Sequence, residues 1–142
     1  VMILDNSITG MTGHQDNPTT GKTLKGEATR SVDLEQLAHA VGVDRVKVVD
    51  PFDVELLERT LKEELAVEEP SLIVAQRPCA LLKNVKFPGP IQIISDKCKK
   101  CKACMKIGCS AISDKGDHLE IDQTLCNGCG LCKNICKFSA IG

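Results

Sequence analysis

Eight of the nine cysteines lie in two similar blocks near the carboxyl end of the chain, and this spacing constrains the fold more than any other feature. The first block reads C-x2-C-x2-C-x4-C from Cys98 to Cys109, and the second reads C-x2-C-x2-C-x3-C from Cys126 to Cys136. Three closely spaced thiolates suit a cubane iron–sulfur cluster, because each iron corner takes one sulfur ligand and a tight loop can present three. The pattern therefore predicts two 4Fe-4S clusters.

The fourth ligand of each cluster must come from outside the loop that supplies the other three. In two-cluster ferredoxins the distant cysteine of each block binds the cluster of the other block. This rule predicts a first cysteine set made of Cys98, Cys101, Cys104 and Cys136. It predicts a second cysteine set made of Cys126, Cys129, Cys132 and Cys109. Cys79 stands alone after Pro78 and is predicted to be a buried apolar residue rather than a ligand.

Zinc and disulfides are the alternatives to iron–sulfur clusters. A zinc site also uses C-x2-C pairs, but tetrahedral zinc takes four ligands from two separated pairs, so a third cysteine in each block is surplus. Disulfides are disfavoured because no secretory segment is visible and crowded C-x2-C spacing favours metal or redox chemistry. The zinc alternative stays open at this point.

Charge divides the 142-residue chain into two parts. Residues 1–90 hold 10 Lys and Arg against 14 Asp and Glu, whereas residues 91–142 hold 8 against 5. Most lysines of the second part lie beside cysteines, and neutralisation of anionic clusters explains them better than a nucleic-acid surface. No apolar run reaches the length of a membrane span. We therefore expect a soluble, cytoplasmic protein that binds neither nucleic acid nor membrane.

Residues 1–86 read as part of an α/β domain. Apolar runs at 1–4, 46–49 and 71–76 predict three buried strands, and helical spacing predicts helices after Asp33 and Asp53. Strand, helix, strand, helix, strand in this order predicts a parallel sheet. The first run begins at Val1 without a start or capping signal, so we expect a fragment of a longer polypeptide, the trailing half of its domain.

Residues 91–142 read as a small α+β domain with an internal repeat. Each block closes with Ala-Ile, and Cys98 lies 28 positions before Cys126. A turn at 114–117 predicts a hairpin between the blocks, and 91–94 is expected to pair with the chain end near Ile141. Residues 87–90, Phe-Pro-Gly-Pro, are predicted to be a linker. So small a unit needs metal ligation for much of its stability.

The run Asp5-Asn6-Ser7-Ile8-Thr9-Gly10-Met11-Thr12-Gly13-His14-Gln15, the two α/β units and the terminal cluster motifs together carry a family resemblance. They resemble the C-terminal part of the α subunit of indolepyruvate ferredoxin oxidoreductase, a thiamine diphosphate enzyme. The resemblance covers nearly the whole chain. It implies a fold made of the trailing half of a thiamine diphosphate-binding domain and a terminal dicluster ferredoxin-like domain.

In that family an asparagine side chain and a main-chain carbonyl two residues later coordinate the Mg2+ that holds the diphosphate. The resemblance therefore implies that Asn6 and the carbonyl of Ile8 bind Mg2+, with Thr12 in the same coenzyme-binding loop. His14 is a candidate acid–base group, and a hydrogen-bonded structural histidine is the alternative. Met11 replaces a polar residue of related pyruvate enzymes, which favours a bulky, apolar substrate.

Three departures from the family pattern matter. The family's Gly-Asp-Ser/Gly element, which supplies another Mg2+ ligand, would lie before Val1, so we expect no activity from this chain alone. Ser110 and Lys137 follow the fourth cysteines where ferredoxins commonly have proline, which leaves the clusters intact but changes the environment that sets their potentials. The x4 gap before Cys109 resembles the family's own variant.

The resemblance implies oxidative decarboxylation of an arylpyruvate with coenzyme A, and electron transfer through two 4Fe-4S clusters to an external ferredoxin. It also implies a smaller β subunit as a partner. Two alternatives remain: a dicluster electron-transfer module without catalysis of its own, and an enzyme of the same family that acts on pyruvate or another 2-oxoacid.

Overall fold

A computed structural model describes residues 1–86 and 88–142 of the chain. These residues form two compact units, Val1–Val85 and Lys86–Gly142. The predicted linker lies at the start of the second unit, and its first residue, Phe87, lies outside the described residues. Within the described ranges no helix has the length and apolar character needed to cross a membrane.

The first unit contains a three-stranded parallel sheet with two helices, as predicted. Strand β1 spans Met2–Asp5, β2 spans Arg45–Val49 and β3 spans Ser71–Gln76. The strand order is β1-β3-β2, so β3 is central and both of its neighbours run parallel to it. Helix α1 spans Leu34–Ala40 and helix α2 spans Val54–Leu65.

Capping residues explain where the helices begin and end. The Asp33 carboxylate accepts hydrogen bonds from the backbone N–H groups of Glu35 and Gln36, at 2.9 and 3.1 Å, and so caps α1. The Asp53 carboxylate caps α2 by accepting from the N–H of Leu56 at 3.0 Å. Gly42 follows α1 with φ +86°, a left-handed conformation that favours glycine and ends the helix. The starts of both helices, after Asp33 and Asp53, were predicted from the sequence.

Only one of the three strands is buried along most of its length. In β3 the four residues from Leu72 to Ala75 are all buried. Leu4 of β1 is 78% exposed and Val48 of β2 is 43% exposed, so the prediction that all three apolar runs are buried strands was wrong for β1 and β2. The physical reason is the strand order, because β1 and β2 are the edges of the sheet.

The apolar residues of helix α2 do not all lie on its buried face. Val54 and Leu65 are exposed, whereas Thr60 and Glu64 are buried. The carboxylate of Glu64 accepts two hydrogen bonds from the Arg45 guanidinium, at 3.0 and 3.1 Å. This bidentate ion pair ties α2 to β2, and it explains how a glutamate can occupy the buried face of a helix.

The second unit has the predicted hairpin and the predicted pairing of its ends. Strands β4, Ile112–Asp114, and β5, Leu119–Ile121, pair antiparallel. Ile93 forms an antiparallel bridge with Ile141, near the end of the chain. Two short helical segments each contain the third cysteine of a block: a 3-10 helix at Ala103–Ile107 and helix α3 at Leu131–Ile135.

The core of the second unit is small and contains cysteine. Its buried residues include one cysteine from each loop, Cys104 and Cys132, together with aliphatic residues of the hairpin and the two chain ends. Those aliphatic residues are Ile91, Ala111, Ile112, Leu119, Ile121 and Ile141. The cysteines are thus part of the packed interior rather than an appendage to it.

Candidate cluster sites and coenzyme loop

The four cysteines of the first set line one cavity. Cys98, Cys101, Cys104 and Cys136 surround it together with Ile93, Leu119 and Ile141 from the core. The cavity volume is about 20 Å³, roughly the space for a single water molecule.

The four cysteines of the second set line a different and larger cavity. Cys109, Cys126, Cys129 and Cys132 surround a volume of about 320 Å³, next to Ile112 and Ile121 of the hairpin. The structure thus brings together the same two groups of four that the ferredoxin rule predicts. Their role as ligands stays a prediction.

The two loops repeat in backbone conformation as well as in sequence. Lys100 and Lys102 have φ values of +51° and +58°, and Gly128 and Gly130, at the corresponding positions, have +72° and +82°. A left-handed conformation before and after the middle cysteine turns the chain sharply at that point. Glycine adopts it readily, whereas each lysine carries a steric cost.

Backbone N–H groups donate to the sulfur of one cysteine in each set. The N–H of Gly128 lies 3.4 Å from Cys126 Sγ, and the N–H of Ala140 lies 3.3 Å from Cys136 Sγ. Such donors stabilise the negative charge of a metal-bound thiolate and influence the reduction potential of a cluster.

Burial raises the pKa of the two core thiols. The pKa of Cys132 is raised to about 11, chiefly because burial disfavours the thiolate and secondly because Cys129 is near. Burial also raises the pKa of Cys104, with Cys101, Cys136 and Cys98 adding to the effect. Because metals bind thiolates, binding at these two buried thiols would release protons.

The described residues hold no group of three or more His, Cys, Asp or Glu side chains that converges on a single metal ion. A cubane cluster does not require such convergence, because its four thiolates bind four separate iron atoms. The four thiols around each cavity are the donor set that such a cluster takes.

Cys79 lies outside both cysteine sets. It is only half-buried, in the segment that follows β3, so the prediction that it is a buried residue was too strong. Its backbone N–H donates to the carbonyl oxygen of Asn6 at 2.9 Å. Cys79 therefore helps to hold the turn after β1 that contains Asn6.

Asn6 lies at the carboxyl end of β1 in a hydrogen-bonded turn. Its side-chain oxygen accepts from the N–H of Ile8 at 3.1 Å, and the side chain is exposed. Ile8 is 9% exposed, which anchors the turn in the unit. The amide oxygen of Asn6 and the carbonyl of Ile8 are hard oxygen donors of the type that Mg2+ prefers, so these residues fit the metal of the coenzyme site.

The remaining candidate residues lie on an exposed loop. Thr9 and Gln15 exchange two backbone hydrogen bonds, at 2.9 and 3.1 Å, and close the loop. Thr12 donates from its hydroxyl to Gln15 at 2.9 Å, and His14 has a left-handed backbone with φ +61°. No hydrogen bond among the described residues joins Thr12 or His14 to Asn6.

Sequence reasoning placed Asp5 at the carboxyl end of a strand but missed Gln76, and the two residues together hold this end of the sheet. The Asp5 carboxylate accepts from the N–H of Ser7 and from the Gln76 side chain, both at 2.8 Å. Asp5 and Gln76 also line a cavity of about 340 Å³ beside the start of α1. Their position at the carboxyl ends of parallel strands, where open α/β sheets bind ligands, was the available signal.

Comparison with known families identifies both units. Residues 1–75 match the family described as thiamine pyrophosphate enzyme, C-terminal TPP binding domain. The chain belongs to this family of thiamine diphosphate enzymes. Residues 119–142 match the 4Fe-4S binding domain, so the second unit carries an iron–sulfur domain. These family matches confirm the predicted mixed α/β fold and the predicted thiamine diphosphate and iron–sulfur cofactors.

The chain is also similar to curated proteins along nearly its whole length. It is 39% identical over 150 residues to the indolepyruvate oxidoreductase subunit IorA of Thermococcus kodakarensis, and 41% identical over 149 residues to that of Pyrococcus abyssi. Each alignment covers 99% of this chain but only 23% of the relative. A shorter stretch of 56 residues is 41% identical to the dihydromethanopterin reductase (acceptor) of Methanosarcina mazei. No solved structure matches the chain.

Proposed function

We propose that the complete protein is the coenzyme-bearing subunit of a cytoplasmic 2-oxoacid ferredoxin oxidoreductase that acts on arylpyruvates such as indolepyruvate. In the reaction, an arylpyruvate and coenzyme A give an aryl-acetyl-CoA, CO2, one proton and two electrons. A smaller β subunit and an external ferredoxin are the proposed protein partners. The observation that carries the proposal is one chain that combines a thiamine diphosphate domain with two cavities, each lined by four cysteines.

The turn after β1 has a defined role in this proposal. Asn6 and the Ile8 carbonyl would hold Mg2+, and Asp5, Gln76 and Cys79 keep the turn in place through the hydrogen bonds described above. When bound, thiamine diphosphate supplies the electron sink that stabilises the carbanion left by loss of CO2. Thr12 is proposed to bind the coenzyme from the same loop, and His14 is the candidate acid–base group on it.

The two cysteine sets would hold the electron acceptors of the reaction. Each set would hold one 4Fe-4S cluster, and each cluster accepts one electron at a time. The backbone N–H groups of Gly128 and Ala140 lie close enough to cysteine sulfurs to stabilise the charge added on reduction. The proposal is therefore that the second unit accepts the two electrons of the reaction singly.

Met11 is proposed to contact the aryl group of the substrate. Its side chain is 99% exposed on the loop that follows Asn6, so it is accessible to a ligand bound beside that loop. We expect Met11→Ser to lower kcat/KM for indolepyruvate more than for pyruvate. An equal effect on the two substrates would contradict a contact with the aryl group.

The test uses the complete subunit produced anaerobically with its partner subunit. Reduction of methyl viologen should require both indolepyruvate and coenzyme A, and Asn6→Ala should abolish Mg2+-dependent coenzyme binding while leaving the visible absorption unchanged. Viologen reduction by the enzyme with pyruvate but not with indolepyruvate as substrate would contradict the arylpyruvate assignment and favour a pyruvate enzyme of the same family. Clusters that exchange electrons without any 2-oxoacid activity would indicate an electron-transfer module. A colourless protein containing zinc would refute the redox assignment.

A further inference from the structure

The two cysteine loops differ sharply in charge despite their common spacing and backbone conformation. Between the three cysteines of the first loop, three of the four intervening residues are lysine: Lys99, Lys100 and Lys102. The corresponding residues of the second loop are Asn127, Gly128, Gly130 and Leu131, none of them charged. The loop of the first set is strongly basic, whereas the loop of the second set is neutral.

Neutralisation of cluster charge, which we expected from the sequence to explain the lysines beside the cysteines, does not account for this difference between the two loops. Both cavities are lined by four cysteines, so a 4Fe-4S cluster in either would carry the same charge. A lysine requirement that came from the cluster would apply to both loops equally. The lysines of the first loop are therefore better explained by a partner that binds near the first cysteine set and not near the second.

The two loops also differ in what covers them. Gly128 of the second loop is buried beneath the backbone of Gly89, and a Cβ atom at Gly128 would lie 2.0 Å from the Gly89 carbonyl oxygen. Lys100, at the corresponding position of the first loop, is exposed, and so is Cys101 beside it. Among the described residues, the backbone of Gly89 covers the second loop, whereas Lys99, Lys100, Cys101 and Lys102 of the first loop are exposed.

An exposed aromatic residue completes the open surface. Phe138 is 44% exposed and lines the first cavity together with Lys99 and Lys102. We use the name lysine face for Lys99, Lys100, Lys102, Lys137 and Phe138. A positive surface with one apolar contact is complementary to an acidic partner surface.

Acidic residues offset only part of this charge. Lys102 forms an ion pair with Asp114 at 2.5 Å, and Lys100 interacts electrostatically with Asp117. Asp96 also precedes the first loop. Within the described part of the chain, Lys99 forms no ion pair. The lysine face therefore keeps a net positive charge beside the first cysteine set.

We propose that the lysine face docks an acidic one-electron carrier protein and that electrons leave the enzyme from the first cysteine set. This inference rests on the proposed function and names the partner surface of the same redox unit. A cluster held by Cys98, Cys101, Cys104 and Cys136 would supply the electron: in each transfer it would be oxidised by one electron as one oxidised iron–sulfur carrier is reduced. Two carriers are reduced for each 2-oxoacid oxidised.

The test compares two double variants of the complete oxidoreductase. Lys99→Gln/Lys100→Gln removes two charges from the lysine face, and Lys83→Gln/Lys133→Gln removes two exposed charges elsewhere. The acceptors are a purified acidic single-cluster ferredoxin, which takes one electron, and methyl viologen, a small dication. We expect the first variant to raise the KM for ferredoxin roughly fivefold at low ionic strength, with a weaker salt dependence.

The controls separate docking from damage and from failure of the proposed function. Indolepyruvate-dependent viologen reduction, iron content and visible absorption should be unchanged in both variants, and the Lys83/Lys133 variant should keep the wild-type KM for ferredoxin. An equal rise in KM in both variants, or none in either while viologen reduction persists, would overturn the docking proposal alone. Loss of oligonucleotide binding in the Lys99/Lys100 variant with unchanged ferredoxin kinetics would overturn it in favour of nucleic acid. No viologen reduction in the wild type would contradict the proposed function itself.

Discussion

The close approach of Gly89 to the second cysteine loop supports a quantitative prediction about Gly128. An alanine Cβ at this position would lie 2.0 Å from the Gly89 carbonyl oxygen and 2.8 Å from its carbonyl carbon. Cβ atoms in proteins stay beyond 3.0 Å, so the Gly89 backbone would have to move by about 1 Å. We therefore expect Gly128→Ala to displace Gly89 from the second loop and to weaken the cluster held there.

Gly130 provides a matched control two residues away. It has φ +82°, close to the +72° of Gly128, but a Cβ atom there meets nothing within 4 Å. Both alanine variants therefore carry the cost of a left-handed alanine, about 1 kcal/mol. Only Gly128→Ala adds the overlap with Gly89, which we take as about 1–3 kcal/mol by analogy with overpacked cores.

Anaerobic thermal bleaching of the cluster absorption at a fixed heating rate measures the difference. For a unit of this size, 1 kcal/mol corresponds to roughly 4–8 °C in the midpoint. We expect Gly130→Ala to lower the midpoint by about 5 °C and Gly128→Ala by about 10 °C or more. Equal midpoints for the two variants would refute the contact between Gly89 and the second loop.

Three further predictions concern other parts of the structure. Arg45→Met should lower the free energy of unfolding by about 3 kcal/mol because it leaves the buried Glu64 carboxylate unpaired, and Arg45→Met/Glu64→Leu should recover most of the loss in denaturant titrations. Asp33→Ala should cost about 1 kcal/mol in the same assay because α1 loses its capping acceptor; a neutral effect would contradict the capping role. In the complete protein, Cys136→Ser should lower the iron content from about eight to about four atoms per chain, whereas Cys79→Ser should leave it unchanged; the reverse result would exchange their roles.

Local patterns in the sequence determined much of the architecture. The capping aspartates, the glycine after α1 and the turn at 114–117 act within a few residues of themselves, and their helices and hairpin form where predicted. The cysteine spacing is equally local, because a three-cysteine loop can wrap three corners of one cluster. These features could be read without tertiary structure.

Tertiary structure alone decided the features that depend on distant parts of the chain. Strand order exposes Leu4 at an edge and buries β3, although all three runs are apolar in sequence. The Arg45–Glu64 pair joins positions 19 residues apart, and nothing in the helical pattern marks Glu64 as buried. The cover of Gly89 over Gly128 likewise has no sequence signal, because glycine in a cysteine loop already has a local explanation. Burial and charge pairing depend on which surfaces meet in space, and short-range sequence patterns do not carry that information.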